Sequence, residues 1–405
     1  MSEPTVPTEI LRQLARKTPS KILLLVCDGL AGLPHPDTGL TEMETARTPN
    51  LDALARRSML GSAELVGPGI TPGSGPGHLS IFGYDPFRFL VGRGVLSALG
   101  VGFPLQSDDV AARMNFCTLD AEGRILDRRA GRIPTVESAP LVDRLRGITL
   151  SGAEVFVEPE MDYRAVLVLR GAGLSEHVAD TDPQVAGVPP LAPMPMHPAA
   201  VRTAELAGEF VARAREVLRD QSRANGLLLR GFSRLPELPL IGDSYKLDAA
   251  AIAVYPMYRG LARLVGMTIV PTGATMRDEI ATLRACWDQH DFFFVHFKYT
   301  DSAGEDGDFD RKVRVLEEID GLIPELLALQ PDVFALTGDH STPATMAAHS
   351  WHPSPVLLLS RWVLPDDSQR FTERTARRGG LGRLHMSQLM GLLMAHAQKL
   401  LKYGA

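Results

Sequence analysis

Lys21-Ile-Leu-Leu-Leu-Val-Cys-Asp-Gly29 is a run of six apolar residues closed by an Asp-Gly turn. A strand wetted on one face alternates apolar and polar residues, so an unbroken run this short reads as a strand buried on both faces, as in a helix-covered parallel sheet. Runs of the same kind recur at residues 225–230, 251–254, 267–270, 292–297, 332–337 and 355–359. Helical spacing of apolar residues fills 199–218, 257–264, 276–287 and 308–329. The alternation predicts an α/β layered core with a mostly parallel sheet. Residues 110–119, 124–127, 153–157 and 163–169 are instead short strand candidates separated by turns, with one helical pattern at 135–145. They predict a smaller inserted α+β domain over 110–190, the core being 1–109 and 191–405. The proline-rich stretch 182–198 reads as a linker.

Composition narrows the class. The 405 residues are 45% hydrophobic and 22% charged, which suits a packed globular chain. A net charge of −6 argues against general nucleic-acid binding, which favours a basic surface. The three cysteines, Cys27, Cys117 and Cys286, lie far apart and form no metal or disulfide pattern. The apolar run at 22–27 is too short for a membrane span, and residues 1–20 carry no cleavage pattern. The expectation is a soluble cytoplasmic protein with a small-molecule substrate, bound to neither nucleic acid nor membrane.

Ligands of open α/β sheets sit beyond the carboxyl ends of the strands. Those ends carry Asp28, then Asp301 with Glu305 four residues on, then Asp339 and His340, with His349 in the following loop. Each alone has an ordinary structural reading; together they form an oxygen and imidazole set that suits Mn, Mg or Zn. The segment Thr71-Pro-Gly-Ser-Gly-Pro-Gly-His78 leads into an apolar helical run. Ser74 is there either a plain helix cap or a nucleophile beside free N–H groups that suit a phosphate. Arg113, Arg124, Arg128, Arg129, Arg132, Arg164 and Arg170 give the insertion fork-shaped donors for carboxylate or phosphate.

Taken in order, residues 25–30, 71–74, 78–86, 127–132, 169–174, 181–183, 337–342 and 349–350 resemble the archaeal-type, cofactor-independent phosphoglycerate mutases of the alkaline phosphatase superfamily. The resemblance implies an alkaline-phosphatase-like core with an inserted transferase domain. It implies interconversion of 3-phosphoglycerate and 2-phosphoglycerate through a phosphoserine, with two divalent ions, Mn²⁺ first and Mg²⁺ or Zn²⁺ next, and no 2,3-bisphosphoglycerate. Position by position, Ser74 matches the nucleophile; Asp28, Ser74, Asp339 and His340 match one metal site; Asp301 and His349 match the other. Arg128, Arg129, Arg132, Lys246 and Arg230 match the substrate clamp, and His78 a histidine of undefined role. The chain departs from the pattern at Glu305, where the family usually has His, and at His352, where it tends to have Asp or Asn. Glu305 is expected to ligate in place of that histidine. A metal-dependent phosphohydrolase or phosphotransferase acting on another small phosphorylated metabolite is the alternative.

Overall fold

The computed structural model describes residues 8–404, and the chain divides into two compact units. The first comprises residues up to Leu90, Leu238–Tyr255 and Val265 onward; the second comprises Val91–Glu237 and Pro256–Leu264. In chain order the strands are β1 (Ile22–Cys27), β2 (Met59–Glu64), β3 (Val110–Leu119), β4 (Ile125–Asp127), β5 (Glu154–Pro159), β6 (Arg164–Arg170) and β7 (Gly226–Ser233). Then come β8 (Ala249–Ala253), β9 (Thr268–Ile269), β10 (Phe292–Phe297), β11 (Val333–Thr337), β12 (Ser354–Ser360) and β13 (Gly382–His385).

In the first unit eight strands form one sheet in the order β13-β2-β12-β11-β1-β10-β8-β9. Only β12 runs against its neighbours; the other pairings are parallel. Every residue of β1 is buried, because β10 and β11 flank it and helices cover both faces. One of those faces packs Leu23, Leu25, Phe293, Val295 and Phe334 against Leu316, Ile319 and Ile323 of the helix Phe309–Leu327. Register sets the position of the first acid. Cys27 pairs with Phe297 and Val26 with Thr337. Asp28 therefore emerges beside Lys298 on one side and the Gly338–Asp339 turn on the other.

The second unit is an antiparallel sheet, β4-β3-β6-β5 with β7 also paired to β3. The helices Thr135–Leu145 and Val201–Leu218 cover it, burying Leu141, Leu145, Phe210 and Leu218 against Phe116, Leu167 and Leu229. It is broader than the expected insertion at 110–190. The run 225–230, read as one more core strand, is β7 of this second sheet. Its Gly-Leu-Leu-Leu segment is covered by the Val201 helix, and burial on both faces removes alternation from an antiparallel strand as it does from a parallel one. Among the described residues no helix is long and apolar enough to cross a membrane.

Candidate active site

The carboxyl ends of β1, β10 and β11 bring three carboxylates together. Asp28, Asp339 and His340 form one group, Asp301, His340 and His349 another, and within each group the ligand atoms lie within 4.8 Å of one another. All but His349 are buried. His340 is shared: its Nε2 lies 3.2 Å from Asp28 Oδ1 and 3.3 Å from Asp339 Oδ2, while its ring stacks on that of His349 with centroids 3.6 Å apart. The family resemblance assigns this histidine to one site only; stacking places it against both.

Ser74 stands against the same imidazole, its Oγ 3.3 Å from His340 Nε2. It is the first residue of the helix Ser74–Ile81, capped by Gly73, rather than a residue ahead of the helix. Pro76 has no N–H, so the free donors of this first turn are those of Ser74 and Gly75. The helix rests directly on the Asp339 turn, because a Cβ on Gly77 would collide with the Asp339 carbonyl. His78, one turn on and fully buried, has Nδ1 2.8 Å from the Ser74 carbonyl and 3.2 Å from Asp339 Oδ2. It ties the serine turn to the carboxylate.

Asp301 belongs to a short helix, Tyr299–Glu305. One turn of that helix carries Glu305 to the face of Asp301. Glu305 falls outside both groups: its Oε1 is 3.6 Å from His349 Nε2 and its side chain is 56% exposed. His349 Nδ1 lies 3.2 Å from the Pro72 carbonyl, which turns Nε2 toward Asp301, 3.4 Å away. Burial disfavours its charge, but Asp301 and Glu305 outweigh burial and hold its pKa up at about 10. Burial and Asp28 likewise push Asp301 up, yet His349 and Lys298 bring it down to about 2. His352 contacts Ser350 and neither group, so its departure from the family pattern stays outside the site.

Two lysines escaped the sequence reading. Lys298 Nζ is 3.0 Å from Asp28 Oδ2 and also bonds Asp301, so one ammonium spans both groups. Lys312 is completely buried and donates to the carbonyls of Gly29 (2.9 Å), Ala31 (3.0 Å) and Thr342 (2.7 Å). It locks the loop after β1 to the loop after β11. Lysines carry no spacing signature at strand ends; only the position of Lys298, three residues before Asp301 on the same strand-to-helix turn, could have drawn notice.

These residues fit divalent cations. The donors are carboxylate oxygens and imidazole nitrogens, the mixture that borderline-hard ions take. They are buried and crowded with like charge, three carboxylates converging on one imidazole. Buried carboxylates at this spacing are costly unless cations accompany them.

The second unit holds a cluster of opposite sign. Arg128 forks onto Asp182, with Nε–Oδ1 2.8 Å and Nη2–Oδ2 2.7 Å, and Arg230 Nη1 reaches the same Asp182 oxygen at 3.3 Å. Arg113 bonds Glu160 at 3.0 Å. Arg93, which the sequence reading missed, lies close enough to Arg230, Arg113 and Arg164 that, after burial, their charges push its pKa down. Arg129 and Arg132 are exposed and make no ion pair among the described residues. Their loop is fixed by Asp127, which accepts from the N–H groups of Arg129 (2.8 Å) and Gly131 (2.6 Å). Ala130, Gly131 and Arg132 are all left-handed, with φ of 48°, 65° and 52°. Such strain in non-glycine residues concentrates at functional loops. Lys246 lies in the first unit, exposed at the end of the short helix Ile241–Tyr245, also left-handed.

Comparison with known proteins agrees across the chain. The family model for 2,3-bisphosphoglycerate-independent phosphoglycerate mutase matches residues 55–223. A protein of Thermus thermophilus, named "Probable 2,3-bisphosphoglycerate-independent phosphoglycerate mutase", is 53% identical over 401 residues, covering 98% of this chain and 99% of its own. A Deinococcus radiodurans protein of the same name is 52% identical over 405 residues, covering 98% and 99%. Among solved structures, the PH0037 protein of Pyrococcus horikoshii is 32% identical with a TM-score of 0.84, covering 96% of this chain and all of its own. The cofactor-independent phosphoglycerate mutase of Thermoplasma acidophilum is 30% identical with a TM-score of 0.70, covering 93% and 100%.

Proposed function

The chain belongs to the 2,3-bisphosphoglycerate-independent phosphoglycerate mutase family, and on that premise we propose that Ser74 carries the phosphoryl group between the two hydroxyls of glycerate. The enzyme is an isomerase that interconverts 3-phosphoglycerate and 2-phosphoglycerate without bisphosphoglycerate. The observation that supports this reading best is Ser74 Oγ at 3.3 Å from His340 Nε2, on the one imidazole shared by both ligand groups.

Asp28, Asp339 and His340 would hold one divalent ion, and Asp301 and His349 a second, with Glu305 as the added carboxylate. An oxygen-rich set of this kind favours Mn²⁺ or Mg²⁺ over Zn²⁺. When bound, such ions neutralise phosphoryl charge and lower the pKa of the serine hydroxyl. The rest falls to the protein. Ser74 Oγ attacks phosphorus and the bond from phosphorus to the substrate oxygen breaks. The glycerate, still held, turns, and its other hydroxyl takes the phosphoryl group back. The N–H groups of Ser74 and Gly75 are placed to donate to phosphoryl oxygens. Arg128, Arg129, Arg132 and Arg230 are this reading's anion-binding residues in the second unit, and Lys246 its further cation in the first. Three buried free thiols suit a reducing cytoplasm, where the reading places the enzyme.

The test mixes protein, Mn²⁺ and 3-phosphoglycerate without bisphosphoglycerate and measures 2-phosphoglycerate and free phosphate together. The reading expects 2-phosphoglycerate with little phosphate, activity lost on chelation and regained with Mn²⁺. Phosphate release without isomerisation would replace it with a phosphohydrolase.

A further inference from the structure

Thr342 lies at the centre of the packing around the two ligand groups. Its hydroxyl is 2.7 Å from Asp301 Oδ1 and 2.9 Å from His340 Nδ1. An ionised carboxylate only accepts, so the hydroxyl proton goes to Asp301 and the hydroxyl oxygen accepts from His340 Nδ1–H. Nδ1 of His340 thus carries a proton, and Nε2 turns its lone pair toward Asp28, Asp339 and Ser74. A ligating imidazole needs its second nitrogen anchored in this way, and a hydroxyl can serve as the anchor when it is itself held.

The surroundings hold it. The Thr342 N–H donates to the Ala31 carbonyl at 3.1 Å, and its own carbonyl accepts from buried Lys312 at 2.7 Å. Gly29 is left-handed at φ 61°, and a Cβ there would collide with Thr342 Oγ1. A Cβ on Gly304 would collide with the Thr342 carbonyl. Two glycines and a buried lysine therefore leave this hydroxyl one place to be.

We infer that Thr342 is a positioning residue: its hydroxyl fixes the ring of His340 in the ligating tautomer and couples it to Asp301, so that the two ion sites form together. The inference rests on the proposed function, in which His340 ligates one ion through Nε2 and Asp301 holds the other. It goes beyond that reading by giving a role to a side chain that touches neither ion nor substrate.

Mn²⁺ affinity and stoichiometry, measured by titration calorimetry on wild type, Thr342→Val and Thr342→Ser, test it. Valine keeps the shape and removes the hydroxyl; serine keeps the hydroxyl. Thr342→Val is expected to bind Mn²⁺ about 10- to 100-fold more weakly, the usual effect of losing an outer partner, with kcat falling more than KM rises. Thr342→Ser is expected to restore both. Unchanged affinity in Thr342→Val would overturn the inference, and so would weakening in Thr342→Ser equal to that in valine, since packing rather than the hydroxyl would then matter. If wild type itself bound no Mn²⁺, the proposed function would fail instead. If Thr342→Val did not fold, the comparison of Thr342→Ser with wild type would still decide, since retained affinity is required of it.

Discussion

The two units solve opposite electrostatic problems. In the first, Asp28, Asp301 and Asp339 converge on the shared imidazole of His340, and Lys298 is the permanent cation that touches two of them. In the second, Arg93, Arg113, Arg128, Arg164 and Arg230 gather around Glu160, Asp180 and Asp182. One cluster has too few cations, the other too few anions. Each is imperfectly neutralised by its own residues, and the proposed function completes the first with divalent cations and the second with the carboxylate or phosphate of the substrate. A fold optimised for stability alone would pair these charges off or replace them with apolar residues.

The arginine cluster offers the sharpest way to break this comparison. Arg129 is exposed and unpaired among the described residues, and the proposed function assigns its charge to substrate. Arg129→Ala should raise KM about 10- to 100-fold, the loss of one charged hydrogen bond of about 1.5–3 kcal/mol, while the melting temperature stays put. Arg128 is engaged already. Arg128→Ala would take the two-pronged partner from Asp182, whose side chain is 1% exposed, leaving it Arg230 at 3.3 Å and the Gln184 N–H, and should cost about 1–3 kcal/mol of stability in chemical denaturation. Adding Asp182→Asn should recover most of that loss. Equal effects of the two arginine substitutions on KM and stability would show that the second unit does not divide holding from binding.

A smaller effect sharpens the comparison inside the first unit. Glu279, in the helix Met276–Cys286, is as buried as Asp28 but makes no ion pair among the described residues. Burial pushes it up to about 9, whereas Asp28, despite burial, is held well below the ordinary range by Lys298 and His340. A buried acid without cations keeps its proton; one beside them stays charged and can ligate. The folded protein therefore retains a proton on Glu279 that the unfolded chain releases above the ordinary carboxylate range. Its stabilising share is full below that range and is lost as pH rises toward about 9. Glu279→Gln should flatten the fall of stability with pH over that window, measured by denaturant melts. An unchanged slope would mean that the carboxyl has another partner.

How legible each cluster was in the sequence depends on how it is built. Asp28, Asp301, Asp339 and His340 sit where buried strands stop, and an apolar run ending in an acid is visible without a structure. Register then does the rest, since Cys27–Phe297 and Val26–Thr337 pairing forces those ends together. Thr342 and Lys312 were invisible because a hydroxyl or an ammonium acts through where it is held, which spacing does not encode. The arginines of the second unit come from separate strands and the helix Arg93–Gly100, and sheet pairing such as Arg113 opposite Arg230 unites them. The extent of that unit was hidden for the same reason, since β7 reads like a parallel core strand until its antiparallel partner β3 is known.

The central claim is that Ser74 carries the phosphoryl group beside the shared histidine. Protein mixed with Mn²⁺ and 3-phosphoglycerate, quenched during turnover, digested and read by mass spectrometry, tests it most directly. The account predicts a phosphoryl group on the peptide at Ser74, and a Ser74→Ala protein that lacks both that group and mutase activity. Turnover at a normal rate in Ser74→Ala, or full turnover with Ser74 never modified, would contradict it.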